Sequence, residues 1–112
     1  MLSFQKLIVY QRAIDFLALV VDINRNLPRG HAELANQLLR AAQSQPLNIA
    51  EGAGRRSSVD QARFYTHARG SAMEAAAALD TMRAMSLVSE DRYQKGIGLL
   101  EQVVAMLTRM TS

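Results

Sequence analysis

Apolar residues recur along this chain with a helical period, and three breaks divide the pattern into four segments. The first runs from about Phe4 to Asn26 and closes near Leu27-Pro28-Arg29-Gly30. The second runs from about Ala32 to Ala53 and closes at Gly54-Arg55-Arg56-Ser57. Ser58 is placed to cap the third, with Gln61 three residues on completing a capping box, and the helix continues to about Met85. Ser89 is placed to cap the fourth, where Glu90 and Asp91 suit the positive end of the helix dipole. No useful stretch alternates with period two. Long helices of matched length with short connections predict an all-α fold, an antiparallel up-down four-helix bundle forming one domain over residues 1–112.

Two helices carry more apolar surface than a bundle interior needs. In the first, Phe4, Leu7, Val9, Ile14, Phe16, Leu17, Val20, Val21 and Ile23 occupy most of the circumference. An ordinary bundle helix shows an apolar stripe only somewhat over ~100° wide. In the third, Tyr65, Ala68, Ala72, Ala75, Ala76, Leu79 and Met82 form one face, while Ala77 and Ala78 lie off it and leave a full turn without polar cover. High helix propensity alone accounts for alanines. Together with the first helix, they point to self-association.

The second helix combines an internal proline with a polar stripe. Pro46 removes the hydrogen bond to the Ala42 carbonyl and is expected to kink the helix. Gln37, Arg40, Ser44, Asn48, Glu51 and Arg55 follow one another at three or four residues and share a face. Two readings fit that spacing: a solvated face, or a hydrogen-bonded seam at a subunit or partner contact with Glu51 pairing an arginine.

Composition narrows the chemistry. The absence of cysteine excludes disulfides, thiolate metal sites and cysteine nucleophiles. No run approaches the ~18 apolar residues that span a bilayer, and the N-terminus does not read as a signal peptide, so a cytoplasmic protein without membrane contact is expected. The net charge is +3, and its placement matters more than its size. Arg40, Arg55, Arg56, Arg63 and Arg69 face only Glu51 and Asp60 in their segment, whereas the eight other basic and eight other acidic residues cancel. Arginine, with its planar two-pronged donors, makes up eleven of the thirteen basic residues.

The loop Asn48-Ile49-Ala50-Glu51-Gly52-Ala53-Gly54-Arg55-Arg56-Ser57-Ser58 tests a nucleotide-binding reading and fails it. A dinucleotide fingerprint needs a preceding strand and a third glycine, and a P-loop needs its lysine. Here the upstream residues are helical, so Gly52 or Gly54 is expected to cap the helix at positive φ. The turn still offers an anion site, because arginines flank free N–H groups at a helix start. His31 and His67 belong to no metal-ligand pattern, and the serines have no evident base beside them. No enzyme activity, cofactor or metal is expected.

At Gln37-Leu38-Leu39-Arg40-Ala41-Ala42-Gln43-Ser44-Gln45-Pro46-Leu47-Asn48-Ile49-Ala50-Glu51-Gly52 the chain resembles a known family. This is the four-helix-bundle family encoded in intervening sequences of bacterial 23S ribosomal RNA genes, which includes the accessory variability determinant of diversity-generating retroelements. Its motif, roughly Gln-x-x-Arg-Ala-x-x-Ser-x-x-x-Asn-Ile-Ala-Glu-Gly, is kept at every fixed position. Gln11-Arg12-Ala13, Leu27-Pro28 and Gly70-Ser71-Ala72-Met73-Glu74 match further elements. Gln45 stands where an aliphatic residue is usual, and Ala75 to Ala78 replace a more polar run. The resemblance implies a homopentameric barrel with basic surfaces, which in retroelement members binds a reverse transcriptase and nucleic acid.

Two functions follow as expectations. The first is an oligomeric, non-enzymatic protein that contacts RNA or DNA backbone through Arg40, Arg55, Arg56 and Arg63, as an accessory to a nucleic-acid-processing partner such as a reverse transcriptase. Gln37, Ser44, Asn48, Glu51, Gly52 and Glu74 are its motif or interface residues. Without an aromatic ladder, charge and shape rather than base stacking would carry such binding. The second is a protein–protein scaffold whose arginines meet acidic groups on neighbours.

Overall fold

Each helix buries residues at alternating three- and four-residue steps, the spacing that lets near-parallel helices interdigitate. In the computed structural model, which describes all residues Met1–Ser112, α1 spans Ile8–Arg25, α2 Ala32–Ala53, α3 Ser58–Ala84 and α4 Glu90–Met110. The core rows are Val9, Ala13, Phe16, Val20 and Ile23 on α1, and Leu38, Ala42, Gln45, Ile49 and Gly52 on α2. Tyr65, Ala68, Ala72, Ala75, Leu79 and Met82 on α3 meet Tyr93, Gly96, Leu100, Val103 and Leu107 on α4.

Helices pack α1 on α2, α2 on α3, α3 on α4 and α4 on α1, and the backbones of diagonal helices stay apart. Cross-helix bonds show that neighbours run antiparallel. Arg12 reaches Gln102 and Arg92 reaches Asp22 between α1 and α4, while Arg69 reaches Thr108 and Tyr93 reaches Asp80 between α3 and α4. The 27 residues of α3, about 40 Å at ~1.5 Å per residue, account for most of the 45 Å long axis. Because Arg69 lies level with Thr108 near the end of α4, about ten residues of α3 and the end of α2 project past α4, roughly 15 Å by the same rise.

Several element ends differ from the sequence expectation. The first helix begins at Ile8 rather than Phe4, because Ser3–Lys6 form a 3-10 turn and Leu7 is extended. Gln5 holds that turn: its Oε1 accepts from the Leu2 N–H at 2.7 Å, and its carbonyl accepts from the Gln11 side chain at 3.1 Å. The cap of α3 is Ser57, not Ser58, with Ser57 Oγ accepting from the Asp60 N–H at 3.1 Å. Gln61 closes no capping box and donates to the Arg55 carbonyl instead. Ser89 caps α4 as expected. At the end of α3, Ser86 takes φ 59°, and Leu87 N–H to Met82 O with Ser86 N–H to Arg83 O completes a Schellman turn.

One packing expectation changes as well. Ala78 is buried rather than off the apolar face, because α3 packs against both α2 and α4 and so buries more than one stripe. α2 runs unbroken through Pro46, which is itself buried.

Tyr93 is buried, and its hydroxyl donates to Asp80 at 2.5 Å. That bond to a carboxylate, with burial as the lesser cause, raises the phenol above its ordinary range.

Gln45 is fully buried in the α2 core row. Its Nε2 donates to the Ala41 carbonyl at 3.2 Å, but its Oε1 has no partner. An unsatisfied buried acceptor costs about 1–3 kcal/mol. Gln45→Met is therefore expected to stabilise the fold by about 1–2 kcal/mol. Urea denaturation should show a higher midpoint at unchanged slope; an unchanged or lower midpoint contradicts this account.

Candidate nucleic-acid interface

The turn from α2 to α3 gathers charge because two helix ends meet there. Glu51 and Arg55 are one helical turn apart, and Arg55 Nη2 lies 3.3 Å from Glu51 Oε1. Asp60 sits in the first turn of α3, where the dipole favours an acid, and Arg63 follows one turn later. Arg63 donates to Asp60 Oδ1 from both Nη2, at 2.8 Å, and Nε, at 3.2 Å. Arg55 Nε lies 3.8 Å from Asp60 Oδ2, too far for a hydrogen bond, and is shielded from solvent without a partner. Both guanidiniums also lie over the Phe64 ring, Arg55 at 4.7 Å and Arg63 at 4.6 Å from its centroid. Each such stack contributes about 0.5–1 kcal/mol at an exposed site.

Of the four arginines expected to contact nucleic acid, Arg55, Arg56 and Arg63 gather at this projecting corner. Arg56 is exposed and makes no ion pair. Arg40 does not join them. It lies fifteen residues before Arg55 on α2, about 22 Å away at ~1.5 Å per residue, exposed and unpaired. The corner counts three arginines against Glu51 and Asp60, a local balance of +1.

The polar stripe of α2 divides into two parts. Ser44 and Asn48 belong to a seam with α3: the Ser44 and Ser71 hydroxyls are 2.7 Å apart, and Asn48 Nδ2 donates to Ser44 O at 2.9 Å and Oγ at 3.0 Å. Gln37, Arg40 and Glu74 stay exposed without a side-chain partner. Glu51 pairs an arginine of its own chain, Arg55.

Gly52 has a role other than the expected positive φ. It is buried inside α2, and a Cβ there would lie 2.8 Å from Tyr65 Cε1 and 3.1 Å from Phe64 Cβ. Gly54 is the cap residue, with a right-handed φ of −83°. Burial against this backbone raises the Tyr65 phenol above its ordinary range.

Two apolar grooves were not identified from sequence. One, of about 460 Å³ between α1 and α2, is walled by Phe4, Tyr10, Ile14, Leu17, Pro46 and Leu47. The other, of about 400 Å³ between α3 and α4, is walled by Ala72, Met73, Ala76, Ile97, Val104 and Ala105. In a square bundle these are opposite faces. Leu47 is 70% exposed and Met73 47%. The signal for the first groove was Leu47 itself, an apolar residue between polar positions on the outer side of α2. No three His, Cys, Asp or Glu side chains come together as a metal-binding group, and no helix is long and apolar enough to cross a membrane.

With this geometry in place, comparison identifies the lineage. A family model described as 23S rRNA-intervening sequence protein matches residues 5–109. The chain belongs to that family. Among solved structures, it is similar to a protein of unknown function from the S23 ribosomal protein family of Bacteroides thetaiotaomicron VPI-5482. The TM-score is 0.85 at 19% identity, covering 94% of this chain and 99% of that one, which shows a shared fold. No curated protein matches significantly. For this 23S rRNA-intervening sequence protein, Ser44 and Gly52 are thus accounted for by α2–α3 packing and Asn48 by its bonds to Ser44, whereas Gln37, Arg40 and Glu74 face outward.

The close approach at Gly52 is testable. Gly52→Ala is expected to destabilise by about 1–3 kcal/mol through overpacking against Tyr65 and Phe64, despite alanine's better helix propensity. Gly70→Ala on α3, where nothing lies within 4 Å of the new Cβ, is expected to stabilise by about 0.5–1 kcal/mol. Thermal melts of both variants check the opposite signs.

Proposed function

We propose that this protein is a non-enzymatic, self-associating helical bundle of the cytoplasm that contacts the backbone of RNA or DNA through its basic α2–α3 corner. The observation that carries the reading is the pair of apolar grooves on opposite faces, with Leu47 and Met73 standing exposed beside them. An exposed apolar side chain beside an apolar groove on each of two opposite faces supports contact with further copies. The family resemblance implies a pentamer, and five copies at +3 each carry +15. Assembly would thus turn a modest patch on each copy into a field strong enough to attract phosphates. Arg40 and Arg56, exposed and unpaired, are the residues most open to such contacts. A nucleic-acid-processing protein such as a reverse transcriptase is the partner class this reading allows.

A protein-only scaffold is the second reading. It is favoured by the neutralisation of Arg55 by Glu51 and of Arg63 by Asp60 within the chain.

Two measurements test and separate these readings. Analytical ultracentrifugation is expected to show a species several times 12.4 kDa, and Leu47→Asp or Met73→Asp to drive it toward monomer with helicity unchanged. A 12.4 kDa species at tens of micromolar would refute self-association. Fluorescence anisotropy with labelled single-stranded RNA is expected to show affinity falling with salt, with a log–log slope near ~−0.7 per phosphate neutralised. Arg40→Glu with Arg56→Glu should weaken that binding and spare assembly. Absence of binding at low salt, with assembly disturbed by the same charge reversals, selects the scaffold.

A further inference from the structure

We infer that Asp60 is an internal stand-in for a backbone phosphate, which masks the Arg55–Arg63 pair until nucleic acid displaces it. The inference rests on the proposed reading of the α2–α3 corner as a nucleic-acid interface, and it adds a residue that sets the affinity of that interface.

The two arginines are already oriented. Their guanidiniums lie over one ring, Phe64, at 4.7 and 4.6 Å from its centroid. Stacking holds the planes while leaving the N–H edges to choose an acceptor. Asp60 occupies those edges unequally. Its Oδ1 takes both the Nη2 and Nε donors of Arg63, whereas its Oδ2 stays 3.8 Å from Arg55 Nε. That Nε is shielded from solvent and makes no hydrogen bond. One carboxylate therefore satisfies one arginine and falls short of the other.

A phosphodiester is larger than a carboxylate, and its two unbridged oxygens are set wider apart on a tetrahedral centre. Arginine forks bind both groups, so the same donors accept either. A phosphate oxygen in place of Asp60 would satisfy the Arg55 Nε that Asp60 leaves open, once the Arg55 side chain, 40% accessible as a whole, turns that edge outward. The exchange is inexpensive because the pair is exposed: the Arg63 side chain is 59% accessible and that of Asp60 34%. Exposed pairs hold weakly. The masking is chiefly the occupation of donors, since Asp60 Oδ1 takes both the Nη2 and Nε donors of Arg63 whereas Glu51 reaches only Arg55.

The test is anisotropy with labelled single-stranded RNA on the full chain, for wild type, Asp60→Asn, Glu51→Gln and Asp60→Asn combined with Arg63→Ala. Asp60→Ser serves as a second variant should the amide perturb the α3 cap, with circular dichroism reporting helicity. Asp60→Asn is expected to bind roughly threefold to tenfold tighter near 0.1 M salt, with a log–log slope steeper by about 0.7, the value of one added phosphate contact. Glu51→Gln removes the same charge from the corner but frees only Arg55, so its gain should be smaller. In the Arg63→Ala background the Asp60 effect should disappear. Binding by Asp60→Asn alone, with none by wild type, also supports the masked state. Equal gains from Glu51→Gln and Asp60→Asn overturn it, because general charge would then suffice. If wild type binds and Asp60→Asn gains nothing, the masking is wrong and the interface stands. If no variant binds at low salt, both are wrong.

Discussion

The close approach of α2 to α3 governs the rest of the molecule. Ala42, Ala68, Ala72 and Ala75 are fully buried in the facing core rows, and at the far end Gly52 lies directly on the Tyr65 ring. Side chains this small let two helix backbones come near enough for the Ser44 and Ser71 hydroxyls to meet at 2.7 Å. The register of this packed pair carries Phe64 and Arg63 to the level of Arg55 in the turn after α2. A larger residue at Gly52 would therefore alter more than local packing. It would shift the platform on which both guanidiniums lie.

Polar groups inside the bundle follow a related division of labour. The α2–α3 seam satisfies Ser44 and Asn48 with short local bonds, and the α3–α4 interface satisfies Tyr93 with Asp80. Gln45 breaks the rule. It occupies a core position of the α2 row that an apolar side chain would fill without cost, and leaves its carbonyl oxygen unpaired. The bundle tolerates this because Phe16, Leu38, Ile49, Leu79 and Leu107 fill the interior elsewhere.

Helix number, order and approximate length were legible because three- and four-residue apolar spacing is a strong local signal. The ends were less so. Ser57 and Ser58 are equally good caps by residue type, and the choice was made by the Asp60 amide and by Gln61 bonding to the Arg55 carbonyl. Phe4 and Leu7 continue the apolar pattern, yet the Gln5 bonds hold them in a separate turn. Ala78 was misplaced because a face drawn against one neighbour misses the second. At the corner, the pairing of Arg55 and Arg56 was legible from the loop, whereas Arg63 joins them from the second turn of α3. The separation of Arg40 follows from its place fifteen residues before Arg55. The stacking on Phe64 brings Arg55 of the turn onto a ring of α3, which periodicity within one helix does not report.

The placement of apolar and basic surface also bears on how copies would assemble. The α1–α2 groove is walled by the aromatic rings of Phe4 and Tyr10 beside Leu17 and Leu47, and the α3–α4 groove by aliphatic side chains and three alanines, so the two faces are not equivalent. A contact joining unlike faces is heterologous, and it builds rings when the rotation closes. Both grooves run along the sides of the bundle, whereas the arginine corner projects from one end past α4. Under the proposed assembly, side-to-side contacts would leave that end uncovered on every copy. If the ring axis follows the bundle axis, the corners collect on one rim. Their charges would then add on a single surface without competing with the apolar contacts that hold the copies together.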